Sequence, residues 1–164
     1  MKALNWKRVR AKSQPAAIRL CLDFAIAHHN RSVARVAELM GTSEWAIYKW
    51  MAKGSMPSDR IRPFEYACDP QGRATYLTQY IAAGSNKLLI DIPRGKGSTE
   101  QEVGDLQLAS AEAMSLLMKF YRGEASPEDT SDALTELLSK LAWHRENVER
   151  SAQPELALFE DDDE

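Results

Sequence analysis

Apolar residues recur three and four positions apart along most of the chain, a spacing that stacks them on one side of an α-helix. Pro15 suits a first helical turn, and Ile18, Leu22, Ala25 and Ile26 carry the rhythm to His28-His29-Asn30. Ser32 stands where its side chain can cap a second helix ending at Gly41, and Ser43 does the same for a third that runs to Lys53 and stops at Gly54. A fourth helix is expected after Pro57, with Ser58 and Asp59 in its first turn, Pro63 accommodated early, and Ile61, Phe64 and Ala67 facing inward. The turn Asp69-Pro70-Gln71-Gly72 then leads into a fifth, from Thr75 to Ala83.

After Gly84 the pattern changes. Lys87 to Ile92 is a short β-prone run, and Pro93 to Ser98 a turn-rich connector, so residues 86–98 are expected to link two parts of the chain. Gly95-Lys96-Gly97-Ser98 lacks the first glycine of a phosphate loop and is assigned to the connector. Ser98 is placed to cap a long helix to about Tyr121, striped by Val103, Leu106, Ala109, Ala113, Leu117 and Phe120 and ended by Gly123. Ser126-Pro127-Glu128-Asp129 starts another, with Leu134, Leu137, Leu138 and Leu141 on its apolar face. The expected fold is all-α: an N-terminal five-helix module over residues 13–85 and a C-terminal helical hairpin over residues 99–150.

Two helices bury little by themselves. The hairpin stripe, with Leu116, Met118 and Trp143 beside it, must pack on the N-terminal module or on another copy of the chain. Self-association is the favoured expectation, and Leu106, Ala113, Leu117, Phe120, Leu134, Leu137, Leu138 and Leu141 are its candidate residues.

The stretch Val33 to Ala52, VARVAELMGTSEWAIYKWMA, has a more specific demand written into it. Ala37 allows close helix approach, Gly41 tolerates a positive φ, and Val36, Met40, Ile47 and Trp50 form an inner face. That is the spacing of a helix-turn-helix, which leaves the opposite face of its second helix free to enter a DNA major groove.

Charge strengthens this reading. The whole chain carries only −3, yet residues 1–62 hold 12 Lys+Arg against 4 Asp+Glu, whereas residues 63–164 hold 9 against 20. The positive excess is confined to the half with the motif, where phosphate contacts need it. Lys2, Lys7, Arg8, Arg10 and Lys12 are expected in a basic N-terminal arm, residues 1–12, that reaches along the duplex or into the minor groove.

Other classes lose support. No apolar run is long enough to span a bilayer, and Arg19 and Asp23 interrupt the segment after MKALNWKRVRAK that would otherwise imitate a signal peptide, so a cytoplasmic location is expected. Cys21 and Cys68 lie on helical apolar patterns and are expected as buried thiols. His28 and His29 are adjacent and diverge on a helix, while His144 is distant, so neither a metal triad nor a Ser-His-Asp set is suggested. No enzymatic activity, metal or cofactor is expected.

VAELMGTSEWAIYKW and the following PSDRIRPFEYACD resemble the lambda repressor and Cro type of helix-turn-helix. With the tail DLQLASAEAMSLLMKFYRGEASPEDTSDALTELLSKLAWHRENVE, the chain is similar to the CII-like regulatory proteins of temperate phages. The resemblance implies a transcriptional regulator of phage or prophage genes, binding double-stranded operator DNA as a homodimer or homotetramer, with RNA polymerase a further candidate partner. By the same resemblance Ser43, Glu44, Trp45 and Lys49 match the base-facing positions, with Tyr48 at the edge. Glu44 can accept from cytosine N4, Lys49 can donate to guanine, and Trp45 either meets a thymine methyl or packs against the first helix or a partner subunit. Lys7, Arg8, Arg10, Arg31, Arg35, Thr42, Lys53 and Arg60 are the expected phosphate contacts.

The acidic tail, residues 151–164, offers an alternative. Glu155-Leu156-Ala157-Leu158-Phe159 resembles the peptide that docks on the bacterial sliding clamp, with Glu in place of the expected first Gln. The alternative function is a replication-associated DNA-binding protein; the competing reading has Leu156, Leu158 and Phe159 packing on the helices.

Overall fold

The computed structural model describes residues 5–93 and 99–152, and every regular element among them is an α-helix. The helices are α1 (Gln14–His29), α2 (Val33–Leu39), α3 (Glu44–Lys53), α4 (Ser58–Cys68), α5 (Tyr76–Gly84), α6 (Glu100–Tyr121) and α7 (Pro127–Ser151). They fall into two compact units that divide between Leu89 and Ile90.

In the first unit α1 is the central element and packs on α3, α4 and α5. Its Ala17, Ile18, Cys21, Leu22, Phe24 and Ala25 are all buried, and they meet Val36 and Ala37 of α2, Ile47 of α3, Phe64, Ala67 and Cys68 of α4, and Tyr76 and Leu77 of α5. Burying an aliphatic side chain of this size contributes about 1.5–3 kcal/mol before entropy is counted. Ile26 departs from the expected stripe: it is 51% exposed, because it lies about 100° around α1 from Ala25, beyond the buried arc. Cys21 and Cys68 are free and buried, as their apolar surroundings led us to expect. The Cys21 thiol donates to the Ala74 carbonyl, and burial pushes its pKa up to about 12.

Side-chain caps set the helix starts. Ser13, Ser32 and Ser43 accept from the backbone N–H of Ala16, Arg35 and Ala46 at 3.2–3.3 Å. Between α2 and α3, Gly41 adopts φ +61°, its N–H reaches Glu38 O at 3.0 Å, and Thr42 N–H reaches Ala37 O at 2.9 Å. These paired bonds satisfy the last carbonyls of α2 and turn the chain sharply into Ser43. Ala37 therefore has two duties, offering its carbonyl to the turn and its small side chain to the helix crossing.

Residues 87–92 form no strand. They have no neighbouring strand to pair with; instead Lys87 N–H bonds back to Ala82 O of α5, while the Ser139 hydroxyl of α7 donates to the Asp91 carbonyl within the second unit.

The second unit is the antiparallel pair α6 and α7. Ser98 lies outside the described residues, and the residue preceding α6 is Thr99, whose N–H donates to the Glu102 carboxylate at 2.6 Å. Gly123, at φ +76°, ends α6 with the same paired bonding as Gly41, through Phe120 O and Lys119 O. Ser126 then caps α7 by accepting from Asp129 N–H at 3.0 Å. The interior of the pair is small: Ala109, Ala113 and Leu137 are buried, with Leu106, Ala133 and Leu134 packed around them.

Candidate nucleic-acid interface

The turn at Gly41 presents α3 with Ile47 fully buried on one side and Ser43, Glu44, Trp45, Tyr48 and Lys49 exposed on the other. Helical periodicity puts Glu44, Trp45, Tyr48 and Lys49 on adjoining rows of one surface. Trp45 is 68% exposed, so it does not pack against α1. The Lys49 ammonium stands 4.7 Å from its ring centroid. A cation over the indole face stiffens both side chains at an exposed site, a contact of about 0.5–1 kcal/mol. The surface thus combines a carboxylate, a flat aromatic and a lysine, the groups that can engage base edges.

The expected phosphate contacts are distributed unevenly. Lys7, Arg8, Arg10, Arg35, Lys53 and Arg60 are exposed and Thr42 half-buried. Arg35 pairs with Glu38 at 2.6 Å and Arg60 with Asp59 at 3.5 Å, both at the surface, where such pairs exchange readily for a phosphate. Arg31 differs: its guanidinium donates to Ala67 O at 2.6 Å, satisfying a carbonyl near the end of α4. That bond joins the α1–α2 corner to α4.

The N-terminal segment is not a free arm over its described part. Arg8 and Val9 N–H groups both reach Asn5 O, closing a turn, and Trp6 inserts its ring beside Phe24 at 5.3 Å and His28 at 5.4 Å. The Tyr76 hydroxyl donates to Trp6 O at 3.0 Å. Lys7, Arg8 and Arg10 consequently project from a fixed turn, with Arg10 donating to Lys7 O and Val9 O. Lys2 lies outside the described residues. Trp6 was the signal for this: a lone tryptophan in a basic stretch has a large apolar surface to bury.

Two buried carboxylates hold the helices of the first unit in register, and the hydrophobic pattern singled out neither. Asp69, fully buried, accepts from Arg73 N–H at 2.6 Å, from the Arg73 guanidinium at 3.2 Å and faces His29 Nε2 at 2.7 Å. Burial opposes its ionisation, but the Arg73 and His29 contacts outweigh burial and hold its carboxyl well below the usual carboxylate range. Glu65 accepts from the Thr78 N–H at 2.8 Å and hydroxyl at 2.6 Å, joining α4 to α5. Burial pushes its carboxyl up, with the Thr78 bonds acting in the opposite sense.

In the hairpin, Leu106, Ala113, Leu134 and Leu137 are turned toward the interior between α6 and α7. Leu117 is half-buried, while Phe120, Leu138 and Leu141 are exposed. Val103, Met114, Met118 and Tyr121 of α6 and Val148 of α7 add to the exposed apolar surface and were not all in the expected stripe. The clamp-like Glu155–Phe159 peptide lies outside the described residues. Among those residues no His, Cys, Asp and Glu group is arranged to hold a metal ion, and no helix is long and apolar enough to cross a membrane. Compared with known proteins, the chain matches no family model, no curated protein and no solved structure.

Proposed function

We propose that α2, the Gly41 turn and α3 form a helix-turn-helix and that the chain is a sequence-specific DNA-binding transcriptional regulator, with α3 entering the major groove. The observation that carries this reading is the outward surface of α3, where Trp45 is left 68% exposed beneath the Lys49 ammonium while Ile47 on the opposite side is fully buried. A large aromatic held in water beside a lysine and a glutamate suits contact with a partner surface, and the positive excess of residues 1–62 favours a polyanion. The acidic remainder of the chain is repelled from the same polyanion and so orients the complex.

The hairpin supports self-association as a dimer or tetramer. Its own interior is too small to account for the apolar surface of Met114, Met118, Phe120, Leu138 and Leu141, and a second copy is the simplest cover. A dimer that set two α3 helices about 34 Å apart would read successive turns of one duplex face. The resemblance of the motif and tail to CII-like proteins supports a target among phage or prophage genes. Selection of bound duplexes from a random pool, with the mass of the complex measured by light scattering, tests the reading. Enrichment of a site with two repeated half-sites supports it, and equal retention of all sequences or none overturns it.

A further inference from the structure

An open groove of about 570 Å³ runs between the start of α1 and the second half of α3, lined by Pro15, Ala16, Arg19, Tyr48, Met51 and Ala52. Four of these six residues are apolar, and Arg19 and Tyr48 carry the polar groups. Arg19 is exposed and, among the described residues, makes neither an ion pair nor a hydrogen bond, although Asp23 stands one turn further along α1. Arg31, Arg35, Arg60 and Arg73, by contrast, are each engaged by an oxygen. Tyr48 lies both in the groove and on the exposed surface of α3, one residue before Lys49.

We propose that this groove seats the sugar–phosphate backbone of the DNA strand that flanks α3. A phosphate oxygen accepts from the Arg19 guanidinium and the Tyr48 hydroxyl, and the deoxyribose carbons lie against Pro15, Ala16 and Met51. The chemistry matches: a sugar–phosphate strand alternates an anion with an apolar ring edge, and the groove sets a free cation and a hydroxyl beside apolar walls. Arg19 is then a positioning contact that fixes how deeply α3 enters the groove of the duplex, and it carries no base preference. This rests on α3 being the DNA-reading helix, and it gives the Tyr48 hydroxyl a backbone role beside the edge position that the motif assigns to the residue.

The test uses the full chain with the duplex it enriches from a random pool and a scrambled duplex of the same length. Arg19→Ala is expected to weaken binding about tenfold on both duplexes and to lower the slope of log affinity against log salt by about one, with the melting temperature unchanged. Arg19→Lys should recover most of the salt slope, and Tyr48→Phe should weaken both duplexes by a smaller equal factor. Wild-type affinity in Arg19→Ala, alongside lost base preference in Lys49→Ala, overturns the backbone seat and leaves the α3 reading intact. A loss in Arg19→Ala confined to the enriched duplex overturns it too, since a backbone contact does not discriminate sequence. If the wild-type chain binds neither duplex, the seat and the α3 reading fall together.

Discussion

The Tyr76 hydroxyl and the Trp6 carbonyl oxygen, 70 residues apart in sequence, are joined at 3.0 Å, and the bond pins the basic N-terminal turn to α5. Tyr76→Phe removes the donor and leaves a carbonyl to find water, an expected cost of about 1 kcal/mol. Trp6→Ala removes in addition the ring contacts with Phe24 and His28 and is expected to cost about 2–4 kcal/mol. Urea unfolding measures both, and equal stability of Trp6→Ala and the parent would contradict the anchoring.

Trp45 and Lys49 should separate binding from stability. Trp45→Ala loses little on folding because the ring is exposed, so the melting temperature is expected to stay within a degree or two while DNA affinity falls. Lys49→Ala and Glu44→Ala should relax base preference by about 1–3 kcal/mol at individual positions. Binding measured across single-base variants of the enriched site checks this, and a uniform loss for Glu44→Ala would remove α3 from the base edges.

The two buried carboxylates should give stability opposite pH dependences. Asp69, depressed in the folded state, contributes stability above its ordinary value near 3.8 that is lost as pH falls through the folded value. Glu65, raised in the folded state, contributes stability below its ordinary value near 4.5 that is lost as pH rises through the folded value. Unfolding curves collected from acid to neutral pH should therefore lose the acid-side fall in Asp69→Asn and the opposing fall in Glu65→Gln. Asp69→Asn is also expected to cost about 2 kcal/mol at neutral pH, because the Arg73 and His29 contacts lose their charged partner. An unaltered pH profile in Asp69→Asn would contradict the assignment.

Leucines one residue apart in α7 should behave differently. Leu137→Ala empties the hairpin interior and is expected to cost about 2–3 kcal/mol whatever the protein concentration. Leu138→Glu and Met118→Glu alter only exposed apolar surface, so helicity should persist while the light-scattering mass falls toward that of one chain. Retention of the larger species in both variants would move the contact between copies elsewhere.

Local chemistry made much of the fold legible. Ser32, Ser43 and Ser126 mark helix starts through their side-chain oxygens, Gly41, Gly54 and Gly123 mark helix ends through positive φ, and the structure places the ends within a residue or two of them. The buried side of α3 was equally readable, since Ile47 and Trp50 repeat with the helix. Contacts between residues distant in sequence were not. Nothing in the pattern around residue 6 says that its indole meets Phe24 and Tyr76, and a polar Asp69 in a turn sequence gives no sign of being fully buried. The run at 87–92 misled because β-propensity counts only when a partner strand exists. Arg19 reads differently: with Asp23 it is an interruption of an apolar helix until α3 is placed beside it.

Both cysteines of the chain lie in the first unit, capped by the core and held as protonated thiols by their burial. A thiol reagent meets them only when that core opens, and the second unit contributes no background. Their rate of labelling in dilute reagent is thus an intrinsic clock for the opening of the helical module alone, with no dye or tag to disturb it. Added DNA that closes on α3 should slow that clock in proportion to its occupancy, which turns two inert core atoms into a readout of binding.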